Sequence, residues 1–218
     1  QTQAYYVVIE GVIGVGKTSL CRLLQDVLSA RLVLEEAEEN PFLPKFYAQR
    51  SAYAFQTQLW FLVSRYRQLT AAFAQQDLFH PVTLADYMFD KDRIFASVNL
   101  DEDELSLYDT VARSLERDIH RPDFVVFLQA STDVLLKRIE QRGRTFEYGM
   151  DRTYLDVLNE AYNHYFFHYQ ASPVLIVNTS DIDFVHNQGD LSELIKQITQ
   201  AKPGVNFYHP VSGDRKAQ

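Results

Sequence analysis

The chain has 218 residues, 46% of them hydrophobic, with 21 Lys and Arg against 29 Asp and Glu and a formal charge of −8. That length supports one sizeable globular domain, and an acidic balance with no dense block of Lys and Arg argues against nucleic acid as a partner. A lone cysteine, Cys21, excludes a disulfide framework and a thiolate metal cluster and points to a reducing compartment, the cytoplasm; short, charge-interrupted apolar runs argue against a membrane-spanning helix.

Apolar runs bounded by polar or turn residues predict strands near 4–9, 31–35, 82–86, 123–129 and 173–178. Between them, helical periodicity covers 17–29, 42–49, 52–76, 88–97, 102–118, 131–142, 151–169 and 190–200. Strands that are apolar throughout belong to a parallel sheet covered on both faces, and their alternation with helices builds βαβ units. The expectation is a single α/β domain over residues 1–201. The segment 202–218, with Pro203, Gly204, Pro210 and Gly213, reads as a loosely ordered tail.

Immediately after the first strand stands E-G-V-I-G-V-G-K-T, residues 10–18. Gly11, Gly16, Lys17 and Thr18 satisfy the P-loop pattern, and the strand before and helix after supply the context that the pattern requires. Glycines let backbone N–H groups wrap an anion at a helix N-terminus, Lys17 reaches the outer phosphates, and the Thr18 hydroxyl suits Mg²⁺. Gly14 and Ser19 complete the expected phosphate-binding set. The turn therefore holds a nucleoside triphosphate, although a P-loop by itself leaves open a kinase, a GTPase, a motor or a silent binding module.

The second strand runs into L-E-E-A-E-E-N-P-F, which puts Glu35 at its carboxyl end, where open parallel sheets bind ligands. A carboxylate there suits the removal of a proton from an attacking hydroxyl, whereas Glu36, Glu38 and Glu39 read as a solvated acidic face. The cluster favours a neutral hydroxyl acceptor, because a monophosphate would be repelled and needs no general base. The long helix then places Gln58 and Arg65 two turns apart on one face among Phe55, Trp60, Phe61 and Leu62. That stripe is either ordinary core with the two polar groups at its border, which spacing alone favours, or a slot for a flat heterocycle. After the fourth strand, K-R-I-E-Q-R-G-R-T-F-E gathers Arg138, Arg142 and Arg144 at a helix end broken by Gly143. The arginines fit a phosphoryl-transfer lid, or simply a helix C-terminus that favours cations. His164 and His168 share a helix face without an evident third ligand and read as packing or surface residues.

Taken in order, I-E-G-V-I-G-V-G-K-T, E-E-A-E-E-N-P-F-L-P-K-F-Y, Y-A-F-Q-T-Q-L-W-F-L-V-S-R, D-K-D-R-I-F-A and R-G-R-T-F-E resemble the deoxynucleoside kinases, particularly the bacterial deoxyadenosine and deoxyguanosine kinases. The resemblance implies a P-loop NTPase fold with a five-stranded parallel sheet and an arginine lid, transferring the γ-phosphoryl of ATP, with Mg²⁺, to the 5′-hydroxyl of a deoxynucleoside. It implies Glu35 as general base, Tyr47 and Glu147 at the deoxyribose 3′-hydroxyl, and Gln58, Arg65 and Asp92 at the base, with a purine favoured and cytosine accepted. It further implies Asp86 near Mg²⁺, the loop 179–184 with Asp181 and Asp183 at the donor adenine, and a homodimer. One departure stands out: the family pattern after the third strand is an acid followed by Arg and Ser, where this chain has Asp86, Tyr87 and Met88. Lys91 or Arg93, on the following helix, is expected to supply the missing charge. The alternatives are a thymidylate kinase-like monophosphate kinase, against which the glutamates argue, and a silent structural subunit of the same fold, against which intact Lys17, Thr18, Glu35 and Arg142 argue.

Overall fold

The structure is a computed structural model, and it describes residues 5–74 and 79–210. Six strands form one parallel sheet in the order β2-β3-β1-β4-β5-β6. The strands are β1 (Tyr5–Gly11), β2 (Ala30–Val33), β3 (Val82–Ala85), β4 (Phe124–Gln129), β5 (Val174–Asn178) and β6 (Val205–Tyr208). Val8, Ile9, Val125, Val126, Leu128 and Val177 in the central strands are fully buried, as strands covered on both faces require. The helices are α1 (Lys17–Val27), α2 (Leu43–Ala48), α3 (Arg50–Ala74), α4 (Lys91–Asn99), α5 (Glu102–Glu116), α6 (Thr132–Arg142), α7 (Arg152–Phe167) and α8 (Gln188–Thr199). Five strands and eight helices fall where apolar periodicity puts them, to within about three residues. The end of the long helix, expected at 75 and 76, lies outside the described residues.

The sixth strand corrects the expectation of five. Val205–Tyr208, placed by composition in a loose tail, pairs in parallel with β5 from Val174↔Val205 to Val177↔Tyr208. Its residues alternate between exposed and half-buried, so the strand has only one covered face and no continuous apolar run to announce it. The end of the expected tail, from 211 onward, lies outside the described residues.

Local signals set the helix ends. Asp101 and Glu104 form a reciprocal capping box on α5, Ser131 and Asp151 cap α6 and α7, and Gly143 ends α6 in the left-handed region at φ 68°. Between β1 and α1, Gly11 is pressed against β4. A Cβ there would lie 2.5 Å from the Leu128 carbonyl oxygen, at a φ of 149° that side chains rarely adopt. Gly11→Ala is therefore expected to cost about 1–3 kcal/mol, read as a lower denaturation midpoint; an unchanged midpoint would contradict this close approach.

Candidate active site

Three loops at the carboxyl ends of β1, β2 and β3 meet the N-terminal half of α3 and the lid after α6 around one cavity. The parallel topology dictates this meeting, since every strand delivers its following loop to the same edge of the sheet. Lys17, Thr18, Glu35, Tyr47, Gln58, Arg65, Asp86, Lys91, Arg142, Arg144 and Glu147 all contribute to the lining.

At the phosphate end, Lys17 Nζ folds back onto the carbonyls of Gly11 (2.7 Å) and Val12 (3.1 Å). Burial, reinforced by the like charge of Lys91, lowers its pKa to about 8. Gly11, Gly14 and Gly16 all have positive φ, and Phe184 packs against Gly16, so the loop 179–184 rests directly on the P-loop. Ser19 follows Thr18 in the first turn of α1. The Thr18 hydroxyl donates to Asp86 Oδ2, and the other oxygen of Asp86 accepts from the Glu35 backbone N–H at 2.7 Å. Asp86 thereby ties the ends of three strands together. A residue not singled out in the sequence adds to this: Glu10, fully buried, accepts from the backbone N–H groups of Gly11 (3.0 Å) and Met88 (2.9 Å), bracing the P-loop against the loop after β3. Burial raises its pKa, against the pull of Lys91 and Lys17.

At the centre, Glu35 lies two residues past β2, and both its oxygens meet cations. Oε1 accepts from Arg65 Nε (3.0 Å) and Nη2 (2.6 Å), and Oε2 accepts from Lys91 Nζ (2.6 Å). Burial alone would raise its pKa, but Lys91 and Arg65 outweigh it and hold the carboxyl well below the usual range. Glu35 is therefore a standing negative charge facing the cavity.

At the far end, Gln58 and Arg65 are not border residues of an apolar stripe. They are 2% and 3% exposed and both converge on Asp92, which is itself sealed from solvent. Asp92 Oδ1 accepts from Arg65 Nη1 and from Gln58 Nε2 (3.3 Å), while Oδ2 accepts from Tyr108 at 2.6 Å. Burial pushes the Asp92 carboxyl up to about 6 despite Arg65 and Tyr108. Tyr108 was invisible in the sequence because α5 meets α4 only in the folded chain. With its amide N–H bonded to Asp92, Gln58 lines the pocket beside Arg65.

The lid arginines divide. Arg142 Nη2 donates to both oxygens of Glu147 (2.6 and 2.5 Å), and Arg144 pairs with Glu38 (2.9 Å) as well as Glu147 (3.8 Å). Tyr47 lies beside them, its hydroxyl pKa raised by burial and then by Tyr154 and Glu147. Arg138 does not line the cavity. It bonds the carbonyls of Val15, Thr179 and Ile182 and the Thr179 hydroxyl, fastening the 179–184 loop to the P-loop. In that loop Asp181 is exposed, and Asp183 accepts from Val185 and His186 in the turn before α8, so neither carboxylate joins the acceptor cavity. Of the two cations offered for the missing arginine, Arg93 faces α5 and meets Asp109 (3.6 Å) and Glu116 (3.4 Å), so that half of the expectation fails.

The family model of the deoxynucleoside kinases matches residues 7–201. Deoxyguanosine kinase of Bacillus subtilis (strain 168) is 36% identical over 205 residues, covering 90% of this chain and 97% of that protein. The deoxyadenosine/deoxycytidine kinase of the same organism is 28% identical, covering 88% of this chain and 90% of its own. Among solved structures, deoxyadenosine kinase from M. mycoides with bound dATP superposes with a TM-score of 0.78 at 22% identity over 90% of this chain and all of that one, a likeness of fold. With a family match across nearly its whole length and a P-loop, a carboxylate and a polar buried slot in one cavity, the chain belongs to the deoxynucleoside kinase family, enzymes that pass a phosphoryl group from a nucleotide to a deoxynucleoside.

Proposed function

We propose that this kinase transfers the γ-phosphoryl of ATP to the 5′-hydroxyl of a purine deoxynucleoside, deoxyguanosine or deoxyadenosine, and accepts deoxycytidine less well. The observation that carries this reading is the order of groups along one cavity: phosphate loop, then Glu35, then the Gln58, Arg65 and Asp92 cluster. A nucleoside laid along it would put its base at the cluster, its 3′-hydroxyl by Tyr47 and Glu147, and its 5′-hydroxyl at Glu35. A Gln58 carbonyl oxygen set against the base beside Arg65 N–H groups would place an acceptor next to donors and complement the donor and acceptor edge of either purine. The name of the 36% identical relative supports guanine as the first candidate.

Glu35 takes the hydroxyl proton, while Lys17, Arg142 and Arg144 face the cavity where negative charge develops. Arg138, Asp181 and Asp183 belong to the donor side through the loop on the P-loop. The Thr18 hydroxyl and Asp86 lie within one hydrogen bond of each other and are hard oxygen donors, which fits Mg²⁺. When bound there, Mg²⁺ would neutralise charge on the outer phosphates of the donor. The proposal includes a single kinase domain over 1–201 extended by β6, a cytoplasmic location, and a homodimer. An apolar groove along α3 formed by Phe42, Phe55, Leu59, Trp60 and Val63 offers a face for dimerisation. Among the described residues no helix is long and apolar enough to cross a membrane.

A product assay with ATP and Mg²⁺ against deoxyguanosine, deoxyadenosine, deoxycytidine, thymidine, dTMP and dGMP tests the reading. The expected product is the 5′-monophosphate of a purine deoxynucleoside. Turnover of dTMP or dGMP alone would replace the acceptor assignment with a monophosphate kinase.

A further inference from the structure

Lys91, one of the two cations expected to supply the missing charge, is among the most deeply buried cations of the described residues. It opens α4, five residues beyond Asp86, with its side chain 5% exposed and its Nζ 2.6 Å from Glu35 Oε2. A buried ammonium is costly unless paired, so a fold that places one here uses its charge. Of the cations around the cavity, Arg65 also meets Asp92, Lys17 bonds the P-loop carbonyls, and Arg142 and Arg144 meet Glu147, so Lys91 and Arg65 are the two at Glu35. Among the described residues, the hydrogen bond of Lys91 runs to Glu35, and an ammonium has three N–H donors. The remaining donors belong to a side chain that lines the same cavity as Lys17, Thr18 and Glu35.

Tyr87 explains why the task falls to a residue on α4. The ring is fully buried, and its hydroxyl donates to Gln68 Oε1 at 2.5 Å, while Gln68 Nε2 donates to the Leu34 carbonyl at 2.9 Å. Tyr87 is thus a brace between the loop after β3, α3 and the end of β2, and it carries no charge to the cavity. Helical phase sorts the next candidates: Lys91 and Asp92 point to the site, and Arg93, about 100° further round, points to α5.

We infer that Lys91 is a catalytic residue of this kinase, its ammonium group holding the acceptor oxygen beside Glu35 during transfer. The inference rests on the proposed kinase reading. In the step, the acceptor O–H bond breaks and its proton passes to Glu35. The oxygen forms a bond to the γ-phosphorus, and the bond from that phosphorus to the bridging oxygen breaks, its electron pair leaving on the diphosphate. Negative charge moves from Glu35 to the acceptor oxygen and the transferring group. A cation bound to Glu35 alone would favour the starting carboxylate and oppose proton transfer. One that reaches both oxygens keeps its interaction as the charge moves, and a compact ammonium on a flexible stem can follow it.

The test compares the parent with Lys91→Met, Lys91→Arg and Arg93→Ala, measuring kcat, KM for deoxyguanosine and ATP, and thermal melting. Methionine keeps the alkyl stem and removes the charge. In a folded Lys91→Met protein, kcat is expected to fall about 10²–10³-fold, with KM for ATP within about threefold of the parent. Lys91→Arg is expected to return kcat to within about tenfold of the parent, and Arg93→Ala to stay within about threefold of it. A folded Lys91→Met protein with kcat within about threefold of the parent, or with its whole loss in KM, overturns the inference. Should Lys91→Met fail to fold, Lys91→Arg decides alone: a folded protein within about tenfold of parent kcat supports the role of the cation, and a larger loss overturns it. A parent inactive on every deoxynucleoside defeats the kinase reading itself, a result distinct from an active parent with an unimpaired Lys91→Met.

Discussion

Glu35→Gln is expected to lower kcat about 10³-fold while KM for ATP changes little, because the substitution keeps the shape of the side chain and removes its ability to take a proton. The effect should be large because, among the described residues, no other carboxylate of the cavity is placed to substitute. Asp86 is held by Thr18 and by the Glu35 backbone, Asp92 by Arg65, Gln58 and Tyr108, and Glu147 by Arg142. The same change strips Lys91 and Arg65 of their shared counter-charge, so a stability loss on the order of 3 kcal/mol accompanies it. Steady-state kinetics at saturating ATP, with a denaturant melt of the same preparation, separates the two effects. A folded Glu35→Gln protein that keeps kcat within about tenfold of the parent would remove Glu35 as proton acceptor.

Arg65→Met should be the most damaging single change to the fold around the site. The guanidinium packs 4.7 Å from the Phe61 ring and joins Glu35 to Asp92, so its loss leaves Asp92 buried without its counter-charge and Glu35 with Lys91. Breaking such a pair by removing one partner costs about 3–5 kcal/mol. The pH dependence carries a signature. Burial already raises the Asp92 carboxyl to about 6 against the pull of Arg65, and without Arg65 it rises further. A carboxyl whose pKa is raised on folding holds a proton that the unfolded chain has released, so stability is lost as pH rises through the folded pKa. In the parent that loss is complete soon above pH 6; in the variant it continues upward. The gap in melting temperature between the two should therefore widen from pH 6 to pH 8. A gap that is constant or narrower over that range would show that Arg65 does not support Asp92 as described. Turnover should suffer as well, with kcat/KM for the deoxynucleoside falling by about 10² or more, since the proposed base site is built on the same side chain.

Much of this protein is legible along the chain because the signals are local. A P-loop is a run of residues whose backbone does the binding, so its spacing specifies its geometry wherever a strand precedes it and a helix follows. Five strands announce themselves by predominantly apolar runs, and Glu35 is located by the rule that a strand end faces the ligand edge of a parallel sheet. Gln58 and Arg65 show the limit of that reading. Their spacing fits a core border as well as a binding slot, and only Asp92, arriving on α4, makes them a cluster.

What the sequence by itself determined is therefore the sheet and helix order, the phosphate loop, and the carboxylate beside it, each encoded within one stretch of chain. The tertiary structure alone decided the matters of partner and phase. It added β6, a short strand recognisable only by its pairing with β5, and it moved Arg138 from the expected lid into a staple between two loops. It bonded Asp183 to its own turn and brought Tyr108 onto Asp92. Above all, it separated Lys91 from Arg93, two cations two residues apart, by the helical rotation that sends one to Glu35 and the other to α5. The physical reason is common to all of these: a charge or an edge acquires its role from what lies across a gap in space, and one chain read in order does not contain that distance.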